Sequence, residues 1–219
     1  ELIKSLEKMS HRAWKQFSII NNKEILEVED YLGESNSKIA IGCCITNDTE
    51  QQDRKNIVIH GKIYSHENNE LTNRIIEFIN SDKLEELGYI LKEIDSNYNI
   101  ISINNNELIV IRDPLGTKPL YIGKSNKITA VATEKKALEV IGIKIIQEVY
   151  PGSIYKIKHN SIKYNTFREI NRNIISKTDN HAKKIIDILN ESIEKRVNGM
   201  KKIGVGFSGG LDSSLLAYL

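Results

Sequence analysis

Five short apolar stretches crowd into the middle of the chain, at 100–103, 108–111, 120–123, 128–132 and 153–157, separated by Asn-rich or Gly-containing turns such as Asn104, Asn105 and Asn106. Strand-like runs this close together predict a mainly antiparallel sheet region. Helical patterns on its flanks make the whole an α+β arrangement. Residues 1–10 carry Leu2, Ile3, Leu6 and Met9 at helical spacing, and residues 73–91 carry Ile75, Ile76, Ile79, Leu84, Leu87 and Leu91, with a break near Ser81. Between these, Ile39, Ile41 and Cys43 alternate as in a strand, and Ile57, Val58 and Ile59 resume the pattern after a polar loop over 46–56.

The pattern changes near residue 170. Residues 165–180 are polar and aperiodic, the expected linker. A helix follows, with Ile185, Ile186, Leu189, Ile193 and Val197 on one face and Thr178 or Asp179 available to cap it. Residues 201–207 then read as a short strand, followed by a Gly-rich turn and an apolar helix that runs to Leu219. That strand, turn and helix order is how an α/β domain opens, so two domains are expected, 1–170 and 171–219. Glu1 in place of a starting Met, and a stop inside a helical run, lead us to expect a piece of a longer protein.

Composition removes several function classes. The 219 residues hold 31 Lys plus Arg against 29 Asp plus Glu, interleaved, for a net charge of +2. This is not the footprint of a nucleic-acid binder. Apolar runs are only a few residues long, far below the roughly 20 needed to span a bilayer. Cys43 and Cys44 are adjacent, so they build neither a disulfide framework nor a zinc site. No secretory pattern opens the chain, and a reducing cytoplasm is the default expectation. The abundance of Ile, Lys and Asn is read as base-composition bias.

The chemistry-bearing motif lies at the end. Ser208, Gly209, Gly210, Leu211, Asp212 and Ser213 sit between a predicted strand and a helix, where glycines let backbone N–H groups converge on a phosphate and the helix dipole adds to the attraction. No Lys follows the glycines, so this is not a Walker loop. The bland alternative is a turn whose glycines serve geometry and whose serines cap a helix. The sequence resembles the pyrophosphate loop of the N-type ATP pyrophosphatases. That resemblance implies ATP as ligand, with Ser208 and Ser213 donating to pyrophosphate, Phe207 lining the nucleotide site, and Asp212 helping to hold Mg²⁺, which takes hard oxygen ligands.

A second motif, RDPLGTKPLY at 112–121, is by itself a Pro and Gly turn between two strands. It resembles the corresponding turn in the glutaminase domain of glutamine-hydrolysing asparagine synthetases, a family in which that domain precedes one opening with SGGLDSS. His11 and Arg12 resemble the family's HRGPD, residues 60–65 its NGEIYN, residues 133–138 its SEIKAL, and Pro151–Gly152 the turn that follows. The resemblance spans nearly the whole chain. It implies a class II glutamine amidotransferase-like domain with a four-layer αββα N-terminal-nucleophile fold, leading into the start of a synthetase domain.

Departures from the family are as informative. Its nucleophile is an N-terminal Cys, absent at Glu1, so no catalytic residue is identified within this window. The Arg that clamps the glutamine carboxylate aligns with Ile45, or at a shift with Cys44. The oxyanion Asn is His60, Gly61 keeps the glycine, and the Glu that receives the glutamine amine is Lys62, whose charge repels an α-ammonium. These changes imply a pocket that no longer hydrolyses glutamine. His60 is expected to be a strand-end structural residue rather than a new general base. His11 and His159 are expected at the surface or at caps, and Lys201 and Lys202 on a solvated strand edge.

The resemblance thus implies an ATP-dependent amide-forming ligase: adenylation of a small carboxylic acid, aspartate or an analogue, then amination by ammonia or another amine. Relatives that close a lactam ring with an internal amine are an alternative, as is a noncatalytic scaffold. Transfer-RNA modification is disfavoured by charge. A homodimer stays open as the assembly.

Overall fold

The computed structural model of the chain describes residues 1–12, 16–21, 25–27, 38–45, 56–64, 68–158, 161–170 and 180–219. The chain divides into two compact units, residues 1–63 with 69–170, and residues 64–68 with 171–219. The first begins with α1 (Leu2–Lys8) and a 3₁₀ turn at Ser10–Arg12, then β1 (Gln16–Asn21), β2 (Ile25–Glu27), β3 (Ala40–Ile45) and β4 (Ile57–Ile63). Two helices follow, α2 (Asn68–Asn80) and α3 (Leu84–Glu93), then β5 (Ser96–Asn104), β6 (Glu107–Arg112), β7 (Tyr121–Lys124) and β8 (Thr129–Ala132). The unit closes with α4 (Lys135–Glu139), β9 (Ile145–Glu148), β10 (Ser153–Lys158) and β11 (Ser161–Thr166).

Among the described residues these strands form three antiparallel sheets, ordered β2-β1-β3, β11-β10-β6-β5-β4 and β8-β7-β9. Side chains of a strand alternate between faces, and the five-stranded sheet uses both. Ile109 and Ile111 of β6, Ile100 of β5 and Ile154 of β10 pack under Ile75, Ile79, Leu87 and Leu91 of α2 and α3. The opposite face sends Val110, Tyr155 and Ile157 against Leu120, Ile122 and Val149, while Ile103 meets Ile41 of β3. Outside the two smaller sheets lie α1 and α4. Leu6 lies against Gly42 of β3, where a Cβ would clash with its methyls, and Ser5 Oγ donates to the Ala137 carbonyl at 2.7 Å. The order is helix, sheet, sheet, helix. Because side-chain direction repeats every two residues, a one-residue slip in β6 would exchange its two buried faces, so the register is strongly fixed.

The turns follow from their residues. Asn105 and Asn106 both take positive φ, 48° and 61°, as the two-residue hairpin between β5 and β6 requires. The break at Ser81 closes with Asp82 at φ 56°, its carboxylate accepting from Lys156 Nζ at 2.8 Å. Burial pushes the Glu107 carboxyl up, yet hydrogen bonds from Lys156 and Lys158 outweigh it and hold the group below its ordinary value.

Several sequence expectations need correction. The hairpin of β1 and β2 was not anticipated, nor were β9 and β11; every residue of β11 is exposed, and it is held by backbone pairing to β10 together with the stacking of Tyr164 on Tyr155. Residues 201–207 do not form a strand: a strand exists through pairing, none of the described residues pairs with this segment, and Ile203, Val205 and Phe207 stand exposed. The opening strand of the second domain is therefore replaced by an extended segment leading into α6 (Leu211–Tyr218). In α5 (His181–Val197) the expected buried stripe is absent, with Ile185 and Ile186 exposed. Its N-cap is Asn180; the expected caps Thr178 and Asp179 lie outside the described residues.

Candidate functional site

The turn at 112–121 consumes its own polar groups. Arg112 is 3% exposed and its guanidinium donates to the carbonyls of Lys118, Val149 and Gly116 at 3.0, 2.6 and 3.0 Å, with Glu148 Oε1 at 2.9 Å. A planar fork of five donors suits such a ring of acceptors. Asp113 is fully buried; its carboxylate accepts from the Leu115 and Thr117 N–H groups and from Thr117 Oγ1. Its backbone carbonyl receives the N–H of Gly116 and of Gly152. Gly116 sits at φ 61°, where a Cβ would lie 2.8 Å from Pro151 Cγ. Gly152 sits at φ 64°, and a Cβ would run into the Arg168 carbonyl oxygen. These residues tie β6, the turn and the 150–152 corner together. Their hydrogen bonds are made within the fold.

On β4, His60, Gly61 and Lys62 stand opposite Asn99, Tyr98 and Asn97 of β5. Gly61 has φ 143° and a Cβ there would collide with the Asn97 carbonyl, so only glycine fits. The Lys62 N–H donates to Asn97 Oδ1 at 3.0 Å. His60 lies inside β4, half-buried, rather than at a strand end, because pairing with β5 continues to Ile63. Ile57 and Ile63 pack toward α2 and α3, so alternation puts His60 and Lys62 on the opposite face, toward the smaller sheets. Ile45 ends β3, in a different sheet; its side chain and that of Cys44 lie outside the described residues.

Asn97 and Asn99 of β5, which stand opposite Lys62 and His60, were not singled out in the sequence. Asn99 is 1% exposed, and its Nδ2 donates to the Pro119 carbonyl at 3.1 Å. The signal was an Asn-x-Asn alternation just before the apolar run at 100–103, extending that strand backward into the site. Tyr98, on the other face, has a hydroxyl that burial, and secondarily Asp113, pushes far above its ordinary value.

His11 lies at the surface, as expected, and takes part in a charged cluster. Its Nε2 lies 3.1 Å from Glu134 and its Nδ1 3.2 Å from Lys136 Nζ, and Lys136 also pairs with Glu134. The cluster ties the 3₁₀ turn to the start of α4. His159 lies outside the described residues.

The turn at 208–213 is built differently. Gly209 takes φ 78° and Gly210 is the N-cap of α6. Ser208 Oγ and Ser213 Oγ are 3.1 Å apart, Ser213 Oγ donates to the Gly210 carbonyl, and the Ser208 N–H points at Ser213 Oγ at 3.3 Å. The structure thus brings Ser208, Gly209, Gly210 and Ser213 into one loop, with Asp212 in the first helical turn. Phe207 is exposed beside it, as are Lys201 and Lys202. Hydroxyls and helix-terminal N–H groups together make a donor set for an anion, and Asp212 is a hard oxygen ligand next to it. Among the described residues no group of three His, Cys, Asp or Glu side chains forms a metal cluster, and no helix is long and apolar enough to cross a membrane.

Comparison with known proteins agrees with the first unit's architecture. Residues 40–140 match the glutamine amidotransferase domain family. A putative glutamine-hydrolysing asparagine synthetase of Methanocaldococcus jannaschii is 32% identical over 163 residues, covering 66% of this chain and 29% of that protein. An amidophosphoribosyltransferase of the same organism is 34% identical over 82 residues, covering 37% of this chain and 17% of its own length. Among solved structures, the glutamine phosphoribosylpyrophosphate amidotransferase of B. subtilis superposes with a TM-score of 0.61 at 19% identity, over 75% of this chain and 46% of that one. The fold is of the N-terminal-nucleophile type with antiparallel sheets. The chain spans less than a third of the curated relatives it matches.

Proposed function

We propose that this chain is part of an asparagine-synthetase-like, ATP-dependent amide-forming ligase whose amidotransferase-like domain no longer hydrolyses glutamine. The observation that carries the reading is order: an amidotransferase-like unit followed in the same chain by SGGLDSS at 208–214. The longer alignment supports it too, since the asparagine synthetase relative matches 163 residues against 82 for the amidophosphoribosyltransferase.

In this reading Ser208, Ser213 and the loop N–H groups bind the pyrophosphate of ATP, Asp212 holds Mg²⁺, and Phe207 borders the nucleotide. A substrate carboxylate, aspartate or an analogue, attacks the α-phosphate and releases pyrophosphate, forming an acyl-adenylate. Ammonia or another amine then displaces AMP. The loop's donors stabilise the charge that gathers on the leaving pyrophosphate. Loss of glutamine use follows from Lys62, whose ammonium repels the substrate's α-ammonium, and from His60 in place of an amide side chain.

The test uses the full-length protein. Exchange of labelled pyrophosphate into ATP with aspartate or an analogue, abolished by Asp212→Ala, is the expected result, with amide formed from ammonium but not from glutamine. Exchange that never occurs with any carboxylate overturns the ligase reading. Glutamine serving as well as ammonium overturns the loss of glutaminase alone. Turnover only with a substrate that carries its own amine points to the ring-closing relatives.

A further inference from the structure

We propose that Asn198 is a site of spontaneous covalent modification, its side-chain amide closing onto the Gly199 nitrogen and opening as isoaspartate or aspartate. The chain contains one Asn-Gly dipeptide, residues 198–199. Asn198 is the C-cap of α5, with φ −53° and ψ 128°, and its N–H donates to the Glu194 carbonyl at 3.0 Å. Gly199 follows at φ 76°, a conformation that glycine takes freely. Both residues are exposed.

Gly199 supplies the nucleophile. It has no side chain of its own to shield its nitrogen, a Cβ built there would meet nothing within 4 Å, and its N–H has no hydrogen-bond acceptor among the described residues. Asn80 is the internal contrast. It too is exposed and precedes a small residue, Ser81, but the Ser81 N–H donates to the Glu77 carbonyl at 2.9 Å, and Asn80 Oδ1 accepts from Asn56 Nδ2 at 2.9 Å. A nitrogen held in a helical hydrogen bond must first be released by local opening.

Water is the only co-reactant. The Gly199 nitrogen gives its proton to solvent base and attacks Asn198 Cγ; the N–Cγ bond forms, the Cγ–Nδ2 bond breaks, and Nδ2 leaves as ammonia with a proton from solvent. Water then opens the cyclic imide. Attack at Cγ leaves aspartate, whereas attack at the backbone carbonyl leaves isoaspartate, in which the main chain runs through Cβ and Cγ. Either product places a new negative charge at the C-terminus of α5, the end where the helix dipole disfavours it. Isoaspartate also lengthens the joint between α5 and the segment 201–207 that leads to the 208–213 loop.

The experiment incubates the full-length protein in H₂¹⁸O at alkaline pH and maps its peptides by mass spectrometry, with isoaspartate read by isoaspartyl methyltransferase. Residue 198 should convert at least about tenfold faster than Asn80, because only the latter waits on local opening. The rate should rise with pH, and isoaspartate and oxygen-18 should both appear in the product. Gly199→Ala, whose methyl crowds the nitrogen, should slow conversion at 198 and leave that at Asn80 unchanged; circular dichroism checks that the variant is folded, and the wild-type rates decide the matter if it is not. An amide that survives at 198, or that converts no faster than Asn80, overturns the proposal. Aspartate formed without isoaspartate means direct hydrolysis and overturns it as well.

Discussion

Two turns rich in Gly and Asp, at 112–117 and 208–213, use the same residue types for opposite ends. In the first, the Arg112 guanidinium and the Asp113 carboxylate are buried and bonded to neighbouring carbonyls, N–H groups and a hydroxyl. In the second, the hydroxyls and N–H groups bond only within the loop and face solvent. The lesson is that a motif's specificity has two sources. One turn is bonded into the surrounding fold, whereas the other keeps its polar groups at the surface.

Four measurements would break or sharpen that contrast. The largest expected effect is on Arg112→Leu, which strips one buried and two part-buried carbonyls of their donor and should cost about 3–5 kcal/mol in denaturant unfolding. A loss below about 1 kcal/mol would make the first turn as dispensable to folding as the second. Next, Gly152→Ala combines positive φ with a collision against the Arg168 carbonyl, and should cost about 1–3 kcal/mol in the same assay.

Third is the pH profile. Tyr98 has its hydroxyl raised by burial, and Lys156 has its ammonium raised by the hydrogen bonds it donates to Asp82 and Glu107. Groups raised in the folded state contribute their full stability below the ordinary value and lose it above. The thermal midpoint should therefore fall above pH ~10. Glu107, held low, contributes above its ordinary value and loses that contribution as pH falls below ~4.3. A flat profile on the alkaline side would show that Tyr98 finds a partner that the folded contacts do not include. Smallest is Asp212→Ala, expected to change unfolding by no more than about 0.5 kcal/mol because the loop is exposed. A loss of several kcal/mol would make that loop architectural and would weaken its ligand-binding reading.

Much of the fold was legible because local pattern and burial agree. The stripe Ile75, Ile79, Leu87 and Leu91 is buried as helical spacing requires, and the break at Ser81 is where Asp82 turns left-handed. The strands at 100–103 and 108–111 belong to the hairpin that the Asn run predicts. What escaped were elements held by pairing rather than by apolar residues. β11 has no buried side chain, and its short alternation of Ile162 and Tyr164 becomes a strand through pairing with β10. Conversely, Ile203, Val205 and Phe207 alternate like a strand and form none, since alternation supplies a face but not the neighbour that would pair with it. Of the residues singled out in the sequence, Gly61 and, separately, the turn at 208–213 were legible as backbone features from residue type. Asn99 was not, because its significance comes from Pro119, twenty residues later in the chain.

By itself the sequence determined the apolar stripe shared by α2 and α3 and the turn that follows β5. Only the tertiary structure decided which carbonyls Arg112 serves, that Asn99 Nδ2 donates to the Pro119 carbonyl, and that β4, among the described residues, lies at the edge of the five-stranded sheet. The physical reason is range. Alternation and turn chemistry act over a few residues and are written locally, whereas hydrogen-bond satisfaction inside a sheet is decided by strands that meet from distant parts of the chain.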